Sequence, residues 1–86
     1  MANHASAKKR IRQTHKKTAR NRHIRTTVRT VVKKVRAAID AGDKETATST
    51  LGKAVSLIDR AVAKGIYHRR TGSRYIGRLT ERVLAL

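Results

Sequence analysis

Residues 24–43, IRTTVRTVVKKVRAAIDAGD, decide the fold. Ile24, Val28, Val31, Val32, Val35 and Ile39 recur at intervals of three and four, which puts them on one stripe of an α-helix. The Val, Ile and Thr residues here would also suit a strand, but strict alternation is absent and the helical spacing holds over several turns. The stripe stops at Gly42, a residue able to take the left-handed conformation that closes a helix, and Asp43 can then accept backbone N–H bonds as the next N-cap. Ala41, Gly42 and Asp43 therefore predict a tight turn between two helices.

Toward the C-terminus the rhythm repeats. Ala47, Leu51, Ala54, Val55, Ile58, Ala61 and Val62 form a second stripe, which stops at Lys64 and Gly65, with Ile66 placed to make the apolar contact of a Schellman close. Tyr75, Ile76, Leu79, Val83 and Leu86 carry a third, with Gly72 on the same face, in a helix beginning near His68, which can cap it. Three such stripes can bury one another. The expectation is an all-α, single-domain, three-helix bundle with helices over about 6–41, 44–64 and 68–85.

Toward the N-terminus the stripe fails before the helix does. Counting back from Ile24 lands on Asn21, Lys17 and Thr14, all polar, and Ile11 falls off the line. At about 1.5 Å per residue the first helix would run roughly 54 Å, against about 25 to 32 Å for the other two. Its basic N-terminal half must project beyond the bundle. Residues 1–22 are thus read as a basic extension ordered mainly when bound to a polyanion, and 23–86 as the bundle.

Charge follows the same division. The chain has 22 Lys and Arg against 5 Asp and Glu, a formal net charge of +17, and residues 1–36 hold 13 cations with no carboxylate. Residues 37–64 balance four against four, and 65–86 hold five against one. Self-repulsion at that density opposes folding until a polyanion neutralises it, and nucleic acid gains affinity directly from such neutralisation through counterion release. The residues expected to meet RNA are Asn3, Lys8, Lys9, Arg10, Arg12, Lys16, Lys17, Arg20, Asn21 and Arg22 in the extension. Arg25, Arg29, Lys33 and Lys34 continue the set along the first helix, and His68, Arg69, Arg70, Arg74 and Arg78 form a second surface on the third. Arg70, Arg74, Arg78 and Arg82 recur at i+4, with Glu81 able to pair with Arg78. Two separated basic surfaces could bridge two RNA segments.

The same residues narrow the chemistry. Tyr67 and Tyr75 are the only aromatics, so the stacking platforms of RNA-recognition motifs and oligonucleotide-binding folds are missing, and shape and phosphate recognition of structured RNA is expected instead. Thr14 and Thr18 join Asn3 and Asn21 as polar contacts. With no Cys, and with His4, His15, His23 and His68 lacking i, i+4 pairing, no metal site and no cofactor are expected. Asp40, Asp43 and Glu45 suit capping and helix-dipole roles, while Asp59 and Glu81 read as salt-bridge partners. No glycine-rich phosphate loop or nucleophile motif is present, so neither enzymatic activity nor a small-molecule substrate is expected. The longest apolar runs are far short of the ~20 residues that cross a bilayer, and no membrane association is expected.

The order and spacing of several fragments resemble a known family, ribosomal protein S20 of the bacterial small subunit, over essentially the whole chain. They are Met1-Ala2-Asn3, Ser6-Ala7-Lys8-Lys9-Arg10, Arg29-Thr30 with Lys33-Lys34-Val35, Ala41-Gly42-Asp43, and Ala63-Lys64-Gly65-Ile66 with His68. The resemblance implies a cytoplasmic structural protein of the 30S subunit, monomeric within the particle, that binds 16S ribosomal RNA and joins the 5′ domain to the long penultimate stem. One departure stands out: the family's third helix usually opens alanine- and lysine-rich, whereas this chain has Thr71-Gly72-Ser73 and Gly77. Either that helix is looser here, or the glycines admit close approach by RNA or another helix. A histone-like DNA-binding protein shares the charge and is the competing reading; a membrane-active helix would need an apolar face that residues 8–22 lack.

Overall fold

In a computed structural model of the chain, residues 3–86 are described, with side chains from Ala5 onward. Three helices follow one another: α1 (Asn3–Asp40), α2 (Lys44–Ala63) and α3 (Arg69–Leu84). The Thr-rich stretch of α1 is helical, and its hydroxyls find their partners within the helix. Thr26, Thr27 and Thr30 each donate to the carbonyl four residues earlier at 2.9 Å.

Both helix stops close as Schellman motifs. At the first, Gly42 N–H donates to the Ile39 carbonyl and Asp43 N–H to that of Ala38, each at 3.0 Å, with Gly42 at φ 71°. Asp43 then caps α2, its carboxylate accepting from Thr46 N–H at 3.2 Å and Thr46 Oγ1 at 2.6 Å. At the second, Gly65 N–H donates to Val62 and Ile66 N–H to Ala61, with Gly65 at φ 75°. Ile66 packs into the same apolar cluster as Ala61, which is the contact the motif calls for.

The turns fold α2 back along α1 and α3 back along α2. One cluster lies near the α1–α2 turn, with Val35, Ala38, Ala47, Ala54, Leu79 and Val83 buried. The other lies toward the α2–α3 turn, with Val28, Ile58, Ala61 and Ile66 buried and Ile24, Leu57, Tyr67 and Ile76 packed around them. Ile24 is the last core residue along α1, and every residue from Ala5 to Arg20 is exposed, so the basic half of the helix projects past the end of the bundle. Helix α1 has 38 residues, about 57 Å at the helical rise, and this sets the 63 Å long axis of the molecule.

The third stripe needs correcting at its edges. Tyr75 and Leu86 are 38% and 39% exposed, not core. The buried face of α3 runs through Gly72, Leu79 and Val83; at about 100° per residue Tyr75 falls on its flank, and Leu86 lies beyond the last helical turn. The two glycines also separate. A methyl added at Gly72 would lie 2.5 Å from Val62 Cγ2 and 3.4 Å from Ile58 Cγ2, so Gly72 is where α3 closes onto α2, whereas Gly77 faces open space.

Gly77→Ala should therefore stabilise the bundle by about 0.5 to 1 kcal/mol through helix propensity, while Gly72→Ala destabilises it by about 1 to 2 kcal/mol, crowding outweighing propensity. Urea unfolding followed by circular dichroism distinguishes the two; equal shifts would remove the close-approach account. Ile58, fully buried, should cost about 2 to 5 kcal/mol on truncation to Ala, and half-buried Leu51 less. The hydroxyl and amide of Thr46 hold the Asp43 carboxyl below its usual value of 3.8. A depressed carboxyl stabilises the fold above its unfolded pKa and ceases to do so as pH falls through the folded one, so the start of α2 should fray below about pH 4, a pH dependence that Asp43→Asn, itself a capping residue, should remove.

Candidate nucleic-acid interface

The projecting half of α1 presents Lys8, Lys9, Arg10, Arg12, Lys16, Lys17, Arg20 and Arg22, all exposed. At about 100° per residue these cations spread around most of the helix circumference, with no acidic neighbour one turn away to relieve them. Arg has the fork geometry for bidentate phosphate contact, and Lys acts as a point charge. Asn3 belongs to α1, but its side chain lies outside the described ones. Thr14, expected as a polar contact, donates its hydroxyl to the Arg10 carbonyl at 2.9 Å and retains only acceptor capacity for a ligand.

Where α1 meets the bundle, Asn21, Arg22, Arg25 and Arg29 share one open polar groove with Thr18 and Thr26. Asn21 differs from the extension: it is half-buried, and its Oδ1 is shielded from solvent without a hydrogen-bond partner. Its amide N–H groups are the atoms left for a ligand. Lys33 and Lys34 are exposed about one turn further along.

Helix α3 carries the second basic surface. His68 is its N-cap, with Nδ1 accepting from Arg70 N–H at 3.1 Å, which leaves Nε2 for outside contacts. Arg69, Arg70, Arg74 and Arg78 are all exposed. The i+4 row they begin is not a straight stripe, because each step drifts about 40° around the helix, so Arg70 lies about 120° from Arg82. Arg82 sits beside α1 instead, 3.7 Å from the Asp40 carboxylate. Among the described residues this is the ion pair formed; Asp59 and Glu81, expected as partners, make none.

Sequence reasoning missed a third group. Arg60 and Lys64, in the charge-balanced middle of the chain, share a groove with His23, Ile24, Thr27 and Leu57 on the α1–α2 side. Their position near the end of α2, which runs back toward the extension, was the available signal. Arg36 was likewise left out of the expected set, although it is seven residues from Arg29 and so on the same helix face.

No group of three potential metal ligands occurs among the described residues, and no described helix is long and apolar enough to cross a membrane. Fold and surface together define a small helical protein whose exposed charge is predominantly cationic. The profile of the family described as Ribosomal protein S20 matches residues 2–84, and the chain belongs to that family. It is similar to the small ribosomal subunit protein bS20 of Geotalea daltonii, at 50% identity covering all of this chain and 99% of that protein. It is also similar to bS20 of Syntrophus aciditrophicus, at 52% identity over 99% of this chain and 96% of the relative. With bS20 of Lachnoclostridium phytofermentans the identity is 49%, over 96% and 95% respectively. Membership makes this chain a ribosomal protein and not an enzyme.

The Arg82–Asp40 pair is mostly solvent-exposed, so Asp40→Asn should change stability by less than about 1 kcal/mol, and still less at high salt. A larger loss in urea unfolding would mean that this contact, rather than the apolar clusters, fastens α3 to α1.

Proposed function

We propose that this protein is a structural constituent of the small ribosomal subunit that binds 16S rRNA directly and holds RNA segments together by neutralising their phosphates. The observation that carries the proposal is the extension of α1, which is exposed from Ala5 to Arg20 and lined with cations but no carboxylate. A helix of this kind gains nothing from the bundle. Placed between RNA segments, it converts mutual repulsion into attraction on every face and releases counterions from each phosphate it meets. Residues 1–22 then act as an arm whose helix is completed by RNA, and residues 23–86 as the folded body.

The body supplies the second contact. Arg69, Arg70, Arg74 and Arg78 lie on a different helix from the arm, so one chain can touch two RNA segments; by family resemblance these are the 5′ domain and the long penultimate stem. The protein works as a monomer within a cytoplasmic particle. Contacts through Asn21, Arg25, Arg29, Lys33, Lys34 and His68 fix how the body sits against its RNA, while the arm provides most of the salt-sensitive affinity.

Filter-binding titrations against folded 16S rRNA, its isolated 5′ domain and duplex DNA of matched charge, repeated over a salt series, test this reading. With about eight phosphates neutralised, the log–log slope should be near −7 on the duplex scale. Selectivity for the 5′ domain that survives moderate salt supports the proposal; equal affinity for all three polyanions that vanishes with salt supports the histone-like alternative. Replacing Arg12, Arg20 and Arg22 together by Ala should lower the slope by about 2 to 3 and weaken binding without shifting the unfolding midpoint of the bundle. Unchanged affinity would remove the extension from the site.

A further inference from the structure

The two tyrosines, eight residues apart in the chain, meet in the fold. Tyr67 follows the Gly65 turn and Tyr75 lies on α3; their rings are 6.1 Å apart at 88°, an edge-to-face pair. They line a half-open groove of about 230 Å³ together with Val28 and Val32, the more buried residues at its floor, and the exposed Arg29, Lys33 and Arg36. These three cations are spaced i, i+4 and i+7 along one flank of α1, and no carboxylate lines the groove. Tyr67 is partly buried among Ile66 and Ile76, so it braces the more exposed Tyr75.

This lining differs from the rest of the basic surface. The extension offers cations alone, which suits phosphates on the outside of a duplex. Here an apolar floor and an exposed aromatic ring stand directly beside three cations, a combination that selects a flat, largely apolar group bearing negative charge close by. A paired stem cannot satisfy it, because its bases are stacked inside. The groove is smaller than the roughly 300 Å³ at which sites for drug-sized ligands begin, so it suits one planar base and not a run of them.

We infer that the groove between α1 and α3 captures a single unstacked nucleotide of the bound RNA, the base lying against Tyr75 over Val32, its flanking phosphates held by Arg29, Lys33 and Arg36. This rests on the RNA-binding reading above and deepens it: recognition includes one extruded base as well as phosphates and shape. Stacking of a base on an aromatic side chain is sequence-tolerant, since every base has a π-face, so the site reads the presence of an unpaired nucleotide and not its identity.

Three RNA hairpins test the inference: one with a single bulged adenosine in its stem, the same stem fully paired, and the same stem with an abasic bulge. The full-length chain should bind the bulged adenosine on the order of tenfold more tightly than either control. Tyr75→Ala should erase that preference and Tyr75→Phe should keep it, with circular dichroism confirming that each variant retains its helices. In a Tyr67→Phe chain, Tyr75 is the only tyrosine, and with no Trp present its emission should fall on binding the bulged hairpin and not the abasic one. If the wild-type chain binds all three hairpins with equal affinity, or Tyr75→Ala retains the preference, the groove is not a nucleotide site, although rRNA binding through phosphates stands. Failure to bind folded 16S rRNA itself would overturn the RNA reading beneath it.

Discussion

Repulsion among the cations of α1 is the constraint around which the rest of the molecule is arranged. Between residues 1 and 36 there are 13 positive side chains and no negative one, and the apolar face that could offset their repulsion begins only at Ile24. Beyond that point toward the N-terminus, backbone hydrogen bonds and helix propensity are all that favour the helix, and an isolated segment of this length is marginal on those terms even without like charges one turn apart. On the proposed reading, the extension is a structure whose stability depends on its partner. The rRNA-binding proposal gives such a segment a reason to exist: a protein placed among phosphates can carry a density of charge that would be a liability in free solution.

The body has the opposite task, to fix cationic side chains with little apolar material. It holds only ten buried hydrophobic residues, four of them alanine, and none larger than Ile or Leu. Two Schellman turns set the return paths of α2 and α3, and Gly72 lets α3 approach α2 closely enough for small residues to make contact. Close approach compensates for small side chains. It also brings Tyr67 and Tyr75 together beside Arg29, Lys33 and Arg36, so packing of the body and the character of its surface are linked.

Most of the fold was legible because its signals are local. Gly42 and Gly65 adopt the positive φ that their positions between stripes implied, His68 caps α3, and the fading of apolar spacing above Ile24 marked where the core ends. What escaped depends on contacts between elements. Gly72 and Gly77 look alike in sequence, and only the facing Val62 distinguishes them. Tyr75 and Leu86 fitted the stripe by interval yet fall at its flank and beyond its end. Of the site, the cations of the extension could be read from charge alone, since nothing shields them. The tyrosine groove could not, because it forms only when α3 folds back against α1, and Arg60 and Lys64 were marked only by their place near the end of α2.

Amide hydrogen exchange, resolved along the chain with and without the 5′ domain of 16S rRNA, tests the central claim most directly. In the free protein, amides between Val28 and Ile39 and between Ala54 and Ala61 should be protected, while those from Ala5 to Arg20 should exchange at rates close to an unstructured peptide. On binding RNA, the second set should slow by orders of magnitude and the first should change little. An extension that is already protected in the free chain, or one that stays unprotected in the complex, would contradict the account of a helix completed by its RNA.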